Sequence, residues 1–285
     1  MRREMVTTAE TGPVPVASGV SAFSNAEFRQ FQQMIFTEAG IHMPASKKTM
    51  VAGRLSRRLK ALQLSSYGDY WQCLRMDAAE KQTAVDLLTT NETYFFREPR
   101  HFEFLRDRIL PEQSRQRPFR LWSAACSSGE EAYSSAMVLT ECLGSTGWEI
   151  LASDISTQML DRARTGRYPM ARTDKIPQHS LKRHCLRGIG QAEGTLMIEP
   201  ALRARVAFRQ INLNTALPAD TGLFDLIFLR NVMIYFNAET KQQIVARLQK
   251  CLQPGGYLII GHSETLNGLQ SGLQVVMPSI YRARP

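Results

Sequence analysis

Acidic side chains at the point where a loop of small residues enters a helix repel a phosphate and suit a cationic or amine-bearing ligand. Ala124-Ala125-Cys126-Ser127-Ser128-Gly129-Glu130-Glu131 is such a segment. It is not G-x-G-x-x-G, so no pyrophosphate cradle is evident, yet its small residues let a ligand approach the backbone closely. Asp154, in Ser153-Asp154-Ile155, stands 25 residues beyond Gly129. A carboxylate at that remove can accept hydrogen bonds from both hydroxyls of a ribose. A lone Asp after a strand also serves as a helix N-cap; the preceding loop favours the ribose. These features argue against NAD, FAD and ATP. They are consistent with S-adenosylmethionine, which carries a ribose, an adenine, an ammonium and a sulfonium but no phosphate. Cys126 is a possible nucleophile by type, but the Pro-Cys context of cytosine methylation is missing and a small turn residue is the simpler reading. Amino-group methylases of nucleic acids tend to carry an Asn/Asp-Pro-Pro-aromatic turn, which Arg230-Asn231-Val232-Met233-Ile234-Tyr235-Phe236 lacks.

Such residues need a scaffold that brings strand ends together. Phe119–Cys126 reads as a buried strand ending in small residues, followed by a helix over Glu130–Leu143. Trp148–Ile155 is a second strand, with a helix over Ser156–Arg164, and Val206–Asn212 a third. Leu223–Leu229 is apolar nearly throughout, as a central parallel strand is. A helix from Asn237 to about Gln253, stopped by Pro254-Gly255-Gly256, leads to a fifth strand over Tyr257–Gly261. Alternating strands and helices imply an open, doubly wound α/β sheet, whose ligands bind beyond the carboxyl ends of the strands at the switch point. Upstream the pattern is helical. Phe28, Phe31, Ile35 and Phe36 keep helical spacing up to Gly40, and Val51, Leu55, Leu59 and Leu62 form one stripe of a second helix. Tyr67–Leu74 and Glu80–Leu88 read as two more. The expected organisation is a flexible tail at 1–20, a helical N-terminal domain at 21–90 and a sheet domain at 91–285. An antiparallel β-hairpin insertion is expected at about 187–207, where a plain surface loop is the alternative.

The composition is globular and the net charge is +9, which favours an acidic partner without choosing among nucleic acid, a membrane surface and an acidic protein. Five cysteines without C-x-x-C spacing point to free thiols in a reducing compartment. No apolar run is long enough for a transmembrane helix and no apolar signal region opens the chain, so a cytoplasmic location without membrane insertion is expected.

Five motifs, in order, give the sequence a family likeness. Thr90-Asn91-x-Thr93-x-Phe95-Phe96-Arg97-Glu98, the 125–131 loop, Ser153-Asp154-Ile155, the 230–236 segment and Gly261-His262-Ser263-Glu264 together resemble the chemoreceptor glutamate methyltransferases of the CheR type, over about residues 22–282. The resemblance implies a helical domain joined to a Rossmann-like S-adenosylmethionine-binding domain that carries a small antiparallel β-subdomain. It implies that Asn91, Thr93 and Arg97 reach over the cofactor, that Glu131 meets its ammonium and Asp154 its ribose, and that Asn212 and Leu213 flank the adenine. Arg230 and Asn231 would close the floor, and Tyr235 would face the methyl group. No metal is implied, and S-adenosylhomocysteine is the expected product. The chemistry is coherent: a glutamate carboxylate is already an anion at neutral pH and needs no general base. Arg97 is a candidate to position that carboxylate, with a salt bridge to Glu98 or Glu131 as its alternative role.

The implied partners are methyl-accepting chemoreceptors, whose methylation regions are acidic helices, met by a monomer. From Ile41 to Gly68 there are six Lys or Arg and no Asp or Glu. At 100° per residue, Arg54, Arg57 and Lys60 lie within about 120° of one another, away from the apolar stripe, and form a candidate docking face. An ordinary solvated face is the alternative. Arg187-Gly188-Ile189-Gly190 and Gly194 resemble the subdomain that some members use to tether a receptor's C-terminal peptide, although Leu196-Met197-Ile198-Glu199 lacks the further basic residue such members tend to carry. A rival function is RNA or DNA methylation through phosphate contacts, which would favour aromatics among the basic residues; the basic helix has none.

Overall fold

The computed structural model describes residues 21–114 and 116–285; the tail expected at 1–20 lies outside the described residues. Four helices come first: α1 (Asn25–Ala39), α2 (Lys48–Ala61), α3 (Tyr67–Met76) and α4 (Ala78–Leu88). Ser24 and Glu27 form a capping box at the start of α1, and Gly40 ends it in the left-handed conformation at φ 72°. Val51, Leu55 and Leu59 are fully buried in one core with Phe31, Ile35 and Tyr70.

An extended linker leads to α5 (Pro99–Phe104) and a π-helical turn at Leu105–Ile109. Then follow β1 (Phe119–Ser123), α6 (Glu130–Leu143), β2 (Trp148–Asp154), α7 (Thr157–Thr165), β3 (Arg167–Pro169), α8 (Gln178–His184) and β4 (Cys185–Arg187). The chain continues through β5 (Thr195–Ile198), α9 (Pro200–Arg203), β6 (Val206–Gln210), β7 (Phe224–Leu229) and α10 (Ala238–Gln249), and ends in β8 (Leu252–Ile260), β9 (Gln274–Met277) and β10 (Ile280–Arg282).

The main sheet runs β6-β2-β1-β7-β8-β10-β9. Its first five strands are parallel, and the chain steps outward from β1 through β2 to β6, then restarts at β7 on the other side of β1. The switch point therefore lies between β1 and β7, and the residues after β1, β2, β6 and β7 face one crevice. Every residue of β7 is buried, as a strand covered on both faces must be.

Two expectations need correction. The helix expected to run to Gln253 stops at Gln249, and Pro254-Gly255-Gly256 lies inside β8. There it forms a bulge: Phe224 pairs with Leu252 but Leu226 with Tyr257, and Gly255 takes φ 71°. The sheet is mixed, because the antiparallel hairpin β9–β10 extends it. The small sheet, ordered β3-β5-β4, reaches back to Arg167 and so draws on more of the chain than 187–207. Strands of three residues are too short to show an alternating pattern.

Candidate functional site

The helical unit closes over the crevice. The Asn212 amide donates to the Glu38 carbonyl at 2.6 Å, and His42 N–H donates to the Tyr235 carbonyl at 2.8 Å. Asp86 of α4 accepts from Thr157 N–H and its hydroxyl at the start of α7. The cleft between the units holds about 890 Å³ of free space, open solvent at its mouth included. Asn91, Thr93, Arg97, Glu131, Asp154, Asn212, Leu213, Arg230, Asn231 and Tyr235 all line it.

Its floor is a buried charge network. The Arg230 side chain is 1% exposed and donates to Glu131 at 2.8 Å and to Glu98 at 3.1 Å. It also donates to the Arg97 carbonyl, which fixes the linker above it. Ser123, at the end of β1, donates to the other Glu131 oxygen at 2.7 Å. Burial pushes the Glu131 carboxyl up, against the pull of Arg230 and Ser123. Glu130 turns away from the cleft, so the expected glutamate pair contributes only Glu131. Glu130 is buried between the Ser128 hydroxyl (2.7 Å) and the Arg172 guanidinium (2.8 Å).

Asp154 ends β2 and is buried. It accepts from Ser127 N–H at 2.8 Å and Ser156 N–H at 2.9 Å. Burial raises its carboxyl, and those amides pull it back down. Ser127 takes φ 48°, so the same bond that orients the carboxylate also pins the loop after β1 in a left-handed turn. One acid on the floor and one at the end of β2, beside a loop without a phosphate cradle, fit a ligand with a cationic end and a ribose. Those are the acceptors that the ammonium and ribose hydroxyls of S-adenosylmethionine require.

Arg97 is half-buried and donates to the Glu92 carbonyl at 2.8 Å, 5.7 Å from the centre of the Tyr94 ring. It makes neither of the salt bridges weighed for it; Arg230 takes both carboxylates. Burial raises the Tyr235 hydroxyl, against the pull of Thr90 and Arg97. Cys126 is fully buried and its thiol is pushed well up by burial, first, and by Asp154, which makes it a turn residue and not a nucleophile.

Two residues absent from the expected set organise the others. Glu98 accepts from the Asn231 amide at 3.0 Å as well as from Arg230. Burial alone would raise its carboxyl, but Asn231, Arg230 and the His262 N–H hold it below the usual range. Glu264 accepts from the backbone N–H groups of Gly261 (2.7 Å), Asn231 (2.9 Å) and Ile234 (3.3 Å), and so holds Asn231 at φ 56°. Both glutamates stand in motifs of the family likeness, but their partners are distant in sequence. Glu98, His101 and His262 also bring possible metal-ligand atoms within 4.8 Å of one another. The Arg230 guanidinium already supplies the positive charge there. Burial, then Arg230, pushes the His101 imidazole down to about 3.

Arg57 and Lys60 are exposed on α2, but Arg54 turns inward to the end of α4, which corrects the expected three-residue docking face. Arg187 is exposed on β4, one of the two edge strands of the small sheet. A Cβ on Gly188 would lie 1.9 Å from the Ala192 carbonyl oxygen, so this glycine closes the turn. Gly190 and Gly194 take φ 58° and 77° with open space around them.

Residues 91–281 match the family described as CheR methyltransferase, SAM binding domain, and residues 26–89 match CheR methyltransferase, all-alpha domain. The chain is 43% identical over 244 residues to Chemotaxis protein methyltransferase 2 of Pseudomonas aeruginosa, covering 85% of this chain and 87% of that protein. It is 39% identical over 264 residues to Chemotaxis protein methyltransferase of Escherichia coli, covering 91% of each. It is 41% identical over 254 residues to the protein of that name from Salmonella typhimurium, covering 87% of this chain and 86% of the other.

Proposed function

This chain belongs to the CheR methyltransferase family, and on that premise we propose that it esterifies glutamate side chains of chemoreceptors at the cytoplasmic face of the membrane. Methylation in chemotaxis with S-adenosylmethionine as cofactor is the family's activity; the glutamate acceptor is the finer reading. One observation carries it. Among the described residues no histidine or lysine lines the cleft; its two inner carboxylates, Glu131 and Asp154, are already bonded to protein groups, and its third, Glu92, stands exposed on the linker. A hydroxyl acceptor would need a base to take its proton, whereas a carboxylate acceptor does not.

Glu131 is assigned to the cofactor's ammonium and Asp154 to its ribose, with Asn212 and Leu213 beside the adenine. When bound, S-adenosylmethionine supplies an electrophilic methyl group on a sulfonium and leaves as S-adenosylhomocysteine. The chain's own residues bind, orient and exclude water. The attacking anion and the sulfonium both lose charge in the transition state, so a drier site favours reaction over the solvated reactants, in the ground-state framing of desolvation. Orientation contributes the rest. Arg97 and Tyr235 are assigned to the acceptor carboxylate at the mouth of the cleft. Incubation with methyl-labelled cofactor and receptor membranes is expected to give label that alkali releases as volatile methanol. Alkali-stable label, or label on RNA or DNA alone, would replace this reading with nucleic-acid methylation.

The β4 edge suits a second contact. A receptor's C-terminal peptide can add there as a strand, with Arg187 meeting an acidic side chain or the terminal carboxylate. Such a tether raises the local substrate concentration toward the millimolar range. Titration of the full chain with the terminal pentapeptides of the host's receptors is expected to show binding that Arg187→Glu weakens at least fivefold. No binding at millimolar peptide would leave the glycines with the turn alone.

A further inference from the structure

The inward turn of Arg54 has a cause in α4. The last turn of α4 contains no basic residue, so its terminal carbonyls have no cation of their own helix to face. Arg54 supplies one from α2. A single guanidinium nitrogen lies 3.2 Å from the Leu87 carbonyl oxygen, 3.1 Å from that of Leu88 and 2.8 Å from that of Thr89. Its second nitrogen reaches the Thr90 hydroxyl at 3.4 Å. The clamp sits where α4 gives way to the linker, and Thr89, Thr90, Asn91 and Thr93 of that linker line the cleft. Tyr235 lines the same cleft as Thr90. Arg57 and Lys60, one and two turns further along α2, have no such partners among the described residues and point to solvent.

We propose that Arg54 is a positioning residue of the cofactor site, which anchors the start of the linker over the cleft and takes no part in docking the receptor. This rests on the cofactor reading of the cleft. The fork geometry separates the two roles: a lysine keeps the charge a docking surface needs, but it has no second nitrogen to reach the Thr90 hydroxyl while the first serves the carbonyls.

The test compares wild type, Arg54→Lys, Arg54→Ala and the double reversal Arg57→Glu with Lys60→Glu in the full chain. Affinity for S-adenosylhomocysteine is measured by calorimetry, receptor methylation as KM and kcat, and amide exchange of residues 85–93 without ligand. Both Arg54 variants are expected to weaken S-adenosylhomocysteine on the order of tenfold and to speed exchange at Leu88 and Thr89. The double reversal is expected to raise the receptor KM and leave the other two readouts unchanged. The proposal is overturned if Arg54→Lys matches wild type in affinity and exchange while Arg54→Ala raises only the receptor KM. A wild type that bound no S-adenosylhomocysteine would sink the cofactor reading instead, and exchange in the ligand-free protein would still decide the clamp.

Discussion

Arg230→Ala is expected to destabilise the protein by about 3–5 kcal/mol and to remove cofactor binding altogether. The side chain is almost wholly buried, and two carboxylates that are themselves only 14% and 12% exposed depend on it. The rings of Phe102 and Phe228 stand 5.5 Å from its guanidinium and wall the network with apolar surface on that side. Deleting the cation leaves Glu98 and Glu131 facing each other in a low-dielectric pocket. They must then take up a proton or move apart, and either change unmakes the floor of the cleft. The melting temperature is expected to fall by roughly 5–15 °C. Adding Glu98→Gln and Glu131→Gln to Arg230→Met removes the stranded charges together with their counterion. That triple variant is expected to recover much of the stability and none of the binding. A single alanine variant that melts within a degree of wild type would show that the network is not the keystone of the floor.

The parts of this site that could be read from sequence are those set by local pattern. The buried run of β7 reads as a nearly continuous apolar segment broken only by Asp225, and once the strands are placed, Asp154 and Arg230 fall at strand ends and Glu131 in the first turn of the helix after β1. What pattern could not supply was pairing between distant segments. The likeness that named Arg97, Glu98 and Glu131 left the owner of the carboxylates open, and folding hands them to Arg230, which arrives from β7. Helical spacing placed Arg54 on one face with Arg57 and Lys60, but spacing locates a Cα and not the end of a long side chain. The bare carbonyls of α4 decide where that guanidinium goes. The hairpin β9–β10 was missed for another reason: Gln274–Met277 is exposed throughout, so it shows no inside and outside to alternate between. Such a strand is specified by the edge it adds to and by the turn before β10, where Ser279 takes φ 67°.

Asp154→Ala is expected to raise the dissociation constant for S-adenosylhomocysteine by roughly 10–100-fold, the loss of two hydrogen bonds to a charged acceptor at about 1–3 kcal/mol in total. The structure adds a second route to the same loss. The carboxylate also receives Ser127 N–H and Ser156 N–H, so its removal frees the loop after β1 as well as the ribose. The two routes separate when the ligand is varied together with the protein. If Asp154 meets the ribose, wild type should bind S-adenosylhomocysteine better than its 2′-deoxy analogue, and the alanine variant should bind both alike. If Asp154 only holds the loop, both proteins should discriminate equally, and the loss should appear as one uniform factor. Asp154→Asn sharpens the comparison. Its amide keeps one acceptor oxygen but turns an N–H toward one of the two backbone donors, so it is expected to weaken the loop bond and the ribose bond at once and to bind no better than alanine. An asparagine variant with wild-type affinity would mean that neither the charge nor the second oxygen of Asp154 serves the cofactor.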